Sequence, residues 1–162
     1  MSIRAIVMDV DGTLTDGGIY LDDRGNEFKK FDVKDGYAIH DILPSMNIIP
    51  IILTGRKSEI VKRRSQELGI QYVIQGSKNK IEDMKDILSK LSISLEDTVY
   101  IGDDLNDLEC MKMVGISACP NDAVDEIKKI CKYIAKKNAG SGAVREIVEW
   151  VMCIQERERE RQ

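Results

Sequence analysis

Short apolar runs alternate with helical patterns along this chain, and acidic or hydroxyl-bearing residues stand where the runs end. Residues 3–9, 48–53, 72–74, 98–101 and 116–118 read as strands, with 132–135 as a last short one. Residues 58–68 and 79–91 have helical patterns. The second carries Ile81, Met84, Ile87, Leu88 and Leu91 at a 3.6-residue spacing. Gly69 follows the first, where a left-handed residue closes a helix. Shorter helices are predicted over 38–46 and 104–113, and a longer one over 143–154. A β-hairpin interrupts the alternation, with strands at 19–21 and 27–31 joined by Asp22-Asp23-Arg24-Gly25-Asn26. Alternation of this kind leaves few folds open, namely an α/β architecture with a parallel sheet and helices on both faces. Ligands of such sheets lie beyond the carboxyl ends of the strands. Asp9, Thr54 and Asp103 all stand at such ends.

The first strand runs into Asp9-Val10-Asp11-Gly12-Thr13-Leu14-Thr15. Carboxylates at i and i+2 lie on one side of a strand, so Asp9 and Asp11 can share a ligand. Like charges that close repel unless a cation lies between them. Gly12 lets backbone approach a bound group with no side chain in the way. The arrangement suits Mg2+, a carboxylate nucleophile and a phosphate. Acidic residues in a strand-to-loop turn are also simple turn formers, so the heptapeptide alone leaves both readings open. Three later segments change the balance. Leu53-Thr54-Gly55-Arg56 ends the second strand, Lys80 begins a helix, and Ile101-Gly102-Asp103-Asp104-Leu105-Asn106-Asp107 ends the fourth strand.

In that order the segments resemble the four motifs of the haloacid dehalogenase (HAD) superfamily of phosphohydrolases. The resemblance implies a Rossmann-like α/β fold and an aspartyl-phosphate mechanism. It makes Asp9 the nucleophile and Asp11 the general acid and then general base. It has Thr54 hydrogen-bond the transferring phosphoryl group and Lys80 neutralise it, with Thr54, Gly55, Arg56 and Lys80 facing substrate. The implied metal is Mg2+, held by the Asp9 and Asp103 carboxylates and the Asp11 backbone carbonyl. Asp104 and Asp107 would support these groups from behind, with Asp107 orienting Lys80 or a metal-bound water. The plain alternative for Asp104 is a helix N-terminal residue favoured by the dipole.

Many HAD enzymes carry a cap domain over the site. Here 42 residues separate Asp11 from Thr54 and already hold a hairpin and a helix, while 25 separate Thr54 from Lys80. Neither gap can hold a cap. Gly17-Gly18-Ile19-Tyr20, Lys30-Phe31-Asp32-Val33-Lys34-Asp35-Gly36-Tyr37, Gln75-Gly76 and Gly140-Ser141-Gly142-Ala143-Val144-Arg145-Glu146 are similar to the capless sugar-acid phosphatases. That group includes the 3-deoxy-D-manno-octulosonate 8-phosphate (KDO 8-phosphate) phosphatases, which act in lipopolysaccharide synthesis. The resemblance implies a homotetramer whose central hairpins let each adjacent subunit complete a site. Arg56 stands where the nonulosonate 9-phosphate phosphatases usually have Glu, which favours the eight-carbon acid. A guanidinium there could pair with the sugar carboxylate or with a carboxylate of a neighbouring chain. Thr13 stands where the KDO 8-phosphate enzymes often have valine. Two alternatives remain: a nonulosonate 9-phosphate phosphatase, and a phosphatase-like oligomerisation module of an acylneuraminate cytidylyltransferase.

Composition narrows the class further. The 162 residues suit one domain over 1–154 with a charged tail over 155–162. A formal net charge of −4 argues against a nucleic-acid binder, which needs a basic surface. No apolar run reaches the length of a membrane span. The first strand begins within a few residues of Met1, so the sequence predicts no signal peptide and a cytoplasmic protein. Cys110, Cys119, Cys131 and Cys153 show neither zinc nor disulfide spacing and read as reduced thiols. The single histidine, His40, reads as a helix-surface residue.

Overall fold

Residues of alternating orientation in β1 (Ala5–Met8) anchor two separate cores, one on each face of a parallel sheet. The computed structural model describes residues 2–160. β1 pairs in parallel with β4 (Ile49–Leu53) on one side and β6 (Thr98–Ile101) on the other. β5 (Tyr72–Ile74) extends the sheet beyond β4, and β7 (Ile116–Cys119) and β8 (Tyr133–Ile134) extend it beyond β6. The order is therefore β5-β4-β1-β6-β7-β8. The chain leaves β1 to build one half of the sheet and returns to β6 for the other. A crevice opens at that reversal, beyond the carboxyl end of β1.

Period-two alternation sorts the side chains. Ile6 and Met8 face Ile39, Leu43, Val61, Ile147 and Val151, so one face is covered by the helical run 33–45, α3 (Glu59–Glu67) and α7 (Ala143–Glu160). Ala5 and Val7 share the other core with Met84, Leu88, Met111 and Ile127. These come from α4 (Lys80–Lys90), α5 (Leu108–Met113) and α6 (Asp125–Ile130). With both faces covered, β1, β6 and β7 are buried throughout, as a sheet's central strands should be. The expected hairpin is present but short, with β2 (Tyr20–Leu21) antiparallel to β3 (Glu27–Phe28). No described segment forms a cap domain over the crevice.

Three boundaries differ from the sequence reading. The helix expected at 38–46 begins earlier, at α1 (Val33–Tyr37), where the Asp32 side chain caps the Lys34 and Asp35 amides. It passes through a π-helical turn (Ala38–Ile42), marked by Leu43 N–H bonding to Ala38 O, into α2 (Leu43–Ser45). The helix expected at 104–113 starts as a 3₁₀ turn (Leu105–Asp107) before α5. The last helix does not stop at 154. It continues through the described part of the charged tail to Glu160, leaving Arg161 and Gln162 outside the described residues. Gln155 is buried, and its Nε2 donates to the carbonyl of Ile3 at 2.9 Å. Gln155→Ala is expected to leave that buried carbonyl unpaired and destabilise the fold by about 1–3 kcal/mol in denaturant unfolding. A change near zero would show that α7 beyond 154 contributes nothing to the core.

Candidate active site

Register brings the expected residues together. Met8 lies level with Ile52 of β4 and Ile101 of β6, so the next residues of all three strands open into one cleft. Asp9 N–H continues the ladder to Ile101 O, and Thr54 follows β4 with its N–H on Ile74 O. Asp9, Asp11, Thr54, Gly55, Arg56, Asp103, Asp104 and Asn106 line this cleft of about 180 Å³. Lys80, the buried first residue of α4, reaches the cleft through Asp9. Its Nζ is 3.1 Å from Asp9 Oδ1 and 2.8 Å from Asp107 Oδ1.

Close approach of these groups depends on two glycines. Gly12 has φ +83°, and a Cβ there would come within 2.1 Å of Asp103 Oδ2. A Cβ on Gly102 would come within 2.6 Å of the Asp107 side chain. Carboxylate oxygens of Asp9, Asp103 and Asp107 all lie within 4.8 Å of one another. Asp107 is already satisfied: Tyr100 Oη donates to Oδ1 at 2.8 Å, beside Lys80, and the Asp103 N–H donates to Oδ2 at 3.1 Å. Asp107 therefore ties Lys80 to the Asp103 loop. Asp104 is different. Its carboxylate accepts from Leu105 N–H at 2.7 Å and caps the 3₁₀ turn, the helix-terminal role.

The electrostatics follow from crowding. Burial, then the Asp107 carboxylate, push Asp9 up to about 6 despite the opposing pull of Lys80. Burial and the nearby Asp9 push Asp103 up to about 7, opposed by a 3.0 Å hydrogen bond from the Thr13 hydroxyl. Burial works against the charge on Lys80, but Asp9 and Asp107 outweigh it and hold the ammonium above its ordinary range. Burial, with the Asp107 charge, drives Tyr100 far up, so its phenol remains a donor. Asp9 and Asp103 thus have oxygens without protein donors and a shared excess of negative charge in a cleft. Oxygen ligands of this kind fit a hard divalent cation such as Mg2+, which relieves the repulsion.

Several contributing residues did not emerge from the sequence. The hairpin folds back on its own chain's cleft. Lys29 Nζ reaches Asp11 Oδ1 at 2.5 Å and Glu27 Oε1 at 3.3 Å, and Arg56 Nη2 lies 3.0 Å from the same Glu27 oxygen. Arg56, expected to face a sugar carboxylate or a neighbouring chain, is here paired within its own chain. Glu27 and Lys29 stand two apart in a strand run, which places them on one face. That spacing was the available signal. The Thr13 hydroxyl supplies the donor to Asp103. Tyr100 lies inside an apolar strand and gave no signal.

Residues 58–147 match the haloacid dehalogenase-like hydrolase family model. The chain is 42% identical over 154 residues to the 3-deoxy-D-manno-octulosonate 8-phosphate phosphatase KdsC of Salmonella typhi, covering 95% of this chain and 81% of that protein. The fold superposes on the Yersinia pestis 3-deoxy-D-manno-octulosonate 8-phosphate phosphatase with a TM-score of 0.91 at 36% identity, over 95% of this chain and 83% of that one. The Moraxella catarrhalis enzyme, solved with magnesium, phosphate and KDO, matches with a TM-score of 0.89 at 39% identity, over 93% and 86%. With its four motifs gathered at one cleft, this chain belongs to the haloacid dehalogenase-like hydrolase family.

Proposed function

We propose that this protein is a Mg2+-dependent phosphatase that converts KDO 8-phosphate to KDO and phosphate, in the cytoplasm, for lipopolysaccharide synthesis. The observation that carries this reading is the gathering of Asp9, Asp11, Thr54, Lys80 and Asp103 on one cleft. It is joined by 42% identity to a KDO 8-phosphate phosphatase over almost the whole chain. A complete set of charged groups, costly to bury together, is not needed in a purely structural oligomerisation module.

The chemistry assigned to the residues is a double displacement. An Asp9 oxygen attacks phosphorus, and an O–P bond forms as the bond to the sugar oxygen breaks. Asp11 gives its proton to that oxygen, so the sugar leaves as an alcohol. Asp11 then takes a proton from water while the water oxygen attacks phosphorus and the Asp9–P bond breaks. The Thr54 hydroxyl donates to the phosphoryl oxygens, and Lys80, held by Asp107, offsets their charge. Mg2+ held by the Asp9 and Asp103 carboxylates and the Asp11 carbonyl would supply the larger neutralisation of charge.

We further infer a homotetramer in which the adjacent subunit completes each site. Leu21, 64% exposed, and Phe28, 56% exposed, stand on the hairpin with the exposed Tyr20, just after the exposed Ile19. An apolar surface of that kind favours a partner. The cytoplasmic assignment is supported by four free cysteines, two of them buried. Among the described residues no helix is long and apolar enough to cross a membrane. Residues 1–154 are read as one phosphatase domain.

Phosphate release with Mg2+ from KDO 8-phosphate, a nonulosonate 9-phosphate and simple sugar phosphates tests the substrate. A large kcat/KM preference for KDO 8-phosphate is expected, and weak, even activity across the panel would contradict it. Phe28→Asp is expected to give a smaller species on gel filtration together with lower kcat/KM. An intact tetramer, or a smaller species of full activity, would contradict the shared site. The raised carboxyls give a sign for pH. Protonation relieves the repulsion, so in the metal-free protein the stability owed to Asp9 and Asp103 is lost as pH rises through about 6 and about 7. Protons and Mg2+ compete for the same oxygens. Mg2+ is therefore expected to raise the melting temperature most above about pH 7, with the increment shrinking as pH falls below about 6. An increment independent of pH would count against the two-carboxylate metal site.

A further inference from the structure

The hairpin carries one charged side chain whose surroundings do not suit a surface flap. Lys29 has a side chain only 1% exposed, although Tyr20, Leu21 and Phe28 beside it are open to solvent. Its burial is achieved by its own chain, so it does not depend on a neighbouring subunit. An ammonium removed from water is costly unless it is paired and hydrogen-bonded. Lys29 resolves that cost against Asp11 Oδ1 at 2.5 Å and Glu27 Oε1 at 3.3 Å. Glu27 in turn holds Arg56 at 3.0 Å. One line of alternating charge thus runs along the cleft wall from Asp11 to Arg56.

We infer that Lys29 is a positioning residue for Asp11, fixing one carboxyl oxygen so that the other is presented to the leaving group. This rests on the acid/base reading of Asp11 proposed above. A carboxyl group that must first give and then take a proton needs a defined rotamer, because proton transfer requires hydrogen-bond reach to the sugar oxygen and later to water. Asp11 stands in a loop, and a side chain there has rotamer freedom to lose. Lys29 occupies Oδ1, which leaves Oδ2 to carry the proton that moves to the sugar oxygen. The Lys29 ammonium stays charged throughout and only donates. In a capless fold no separate domain is available to orient this group, and the hairpin supplies the orientation from within the chain.

The test compares leaving groups. kcat/KM reports phosphoryl transfer to Asp9 and not the later hydrolysis. A sugar alkoxide needs a proton to leave, whereas nitrophenolate from p-nitrophenyl phosphate does not. Lys29→Met is expected to lower kcat/KM for the sugar-acid phosphate by about 10²-fold, within the usual range for a positioned general acid, and that for p-nitrophenyl phosphate by less than about threefold. Lys29→Arg is expected to recover part of the loss on the sugar phosphate alone. A sugar phosphate without a carboxylate controls for simple charge attraction and is expected to behave like the sugar-acid phosphate. Lys29→Gln gives the same comparison if the methionine variant does not fold. An equal fall on both substrates, or no fall on either, would overturn the inference. Asp11→Asn separates the two levels. If it shows the leaving-group selectivity and Lys29→Met does not, the positioning role fails alone. If Asp11→Asn lacks the selectivity, the acid/base reading fails and the role of Lys29 falls with it.

Discussion

Three clustered carboxylates, two of them paired to one ammonium, set the terms for everything around them. Asp9, Asp103 and Asp107 approach within 4.8 Å of one another, where two unit charges repel by on the order of 3 kcal/mol at an effective dielectric of about 20. Lys80 answers part of this, on Asp9 and Asp107. The remainder lies on Asp9, raised by burial and the Asp107 charge, and on Asp103, raised by burial and the Asp9 charge, both well above an ordinary aspartate. A divalent cation and a phosphate dianion complement each other at such a place: the cation relieves the carboxylates, and the ammonium and cation together accept the dianion. The glycines at 12 and 102 follow from the same constraint, because a methyl group at either would force the carboxylates apart.

The sheet exists in the form it does because that cluster must sit where three strands end at one level. β1 at the centre, with β4 and β6 in register beside it, delivers Asp9, Thr54 and Asp103 to one cleft. The two apolar cores hold the strands in that register, since a one-residue slip would exchange the side chains facing each core. The hairpin is the part with the least core of its own. Its charged inner face, Glu27 and Lys29, is spent on the cleft, while Leu21 and Phe28 remain on the outer surface.

Where one physical signal dominated, the sequence was easily read. β1, β4 and β6 are mostly apolar runs, and α4 has a clear apolar stripe with Met84 and Leu88 at its centre. The motif residues were legible because acidic and hydroxyl groups at strand ends have few structural reasons to be there. The start of the helical run at 33 was hidden by Val33 and Gly36, poor helix formers, although Asp32 stood before them as a cap. The π-helical turn before Pro44 could not be read from local pattern. The charge alternation from 155 on gave no sign that Gln155 turns inward, because a single buried amide leaves no periodic trace. The Lys29 contact with Asp11 spans 18 residues and the Tyr100 contact with Asp107 crosses from a strand to the following turn, and neither pairing is specified by a local pattern.

Covalent chemistry at Asp9 is the step on which the proposed activity stands. The decisive measurement is an acid-quenched turnover with radiolabelled KDO 8-phosphate and Mg2+, followed by mapping of the labelled peptide. Label on the peptide carrying Asp9, and its loss in Asp9→Asn with the fold intact by circular dichroism, is the expected result. Phosphate release from an Asp9→Asn variant at the wild-type rate, or label on another residue, would contradict it.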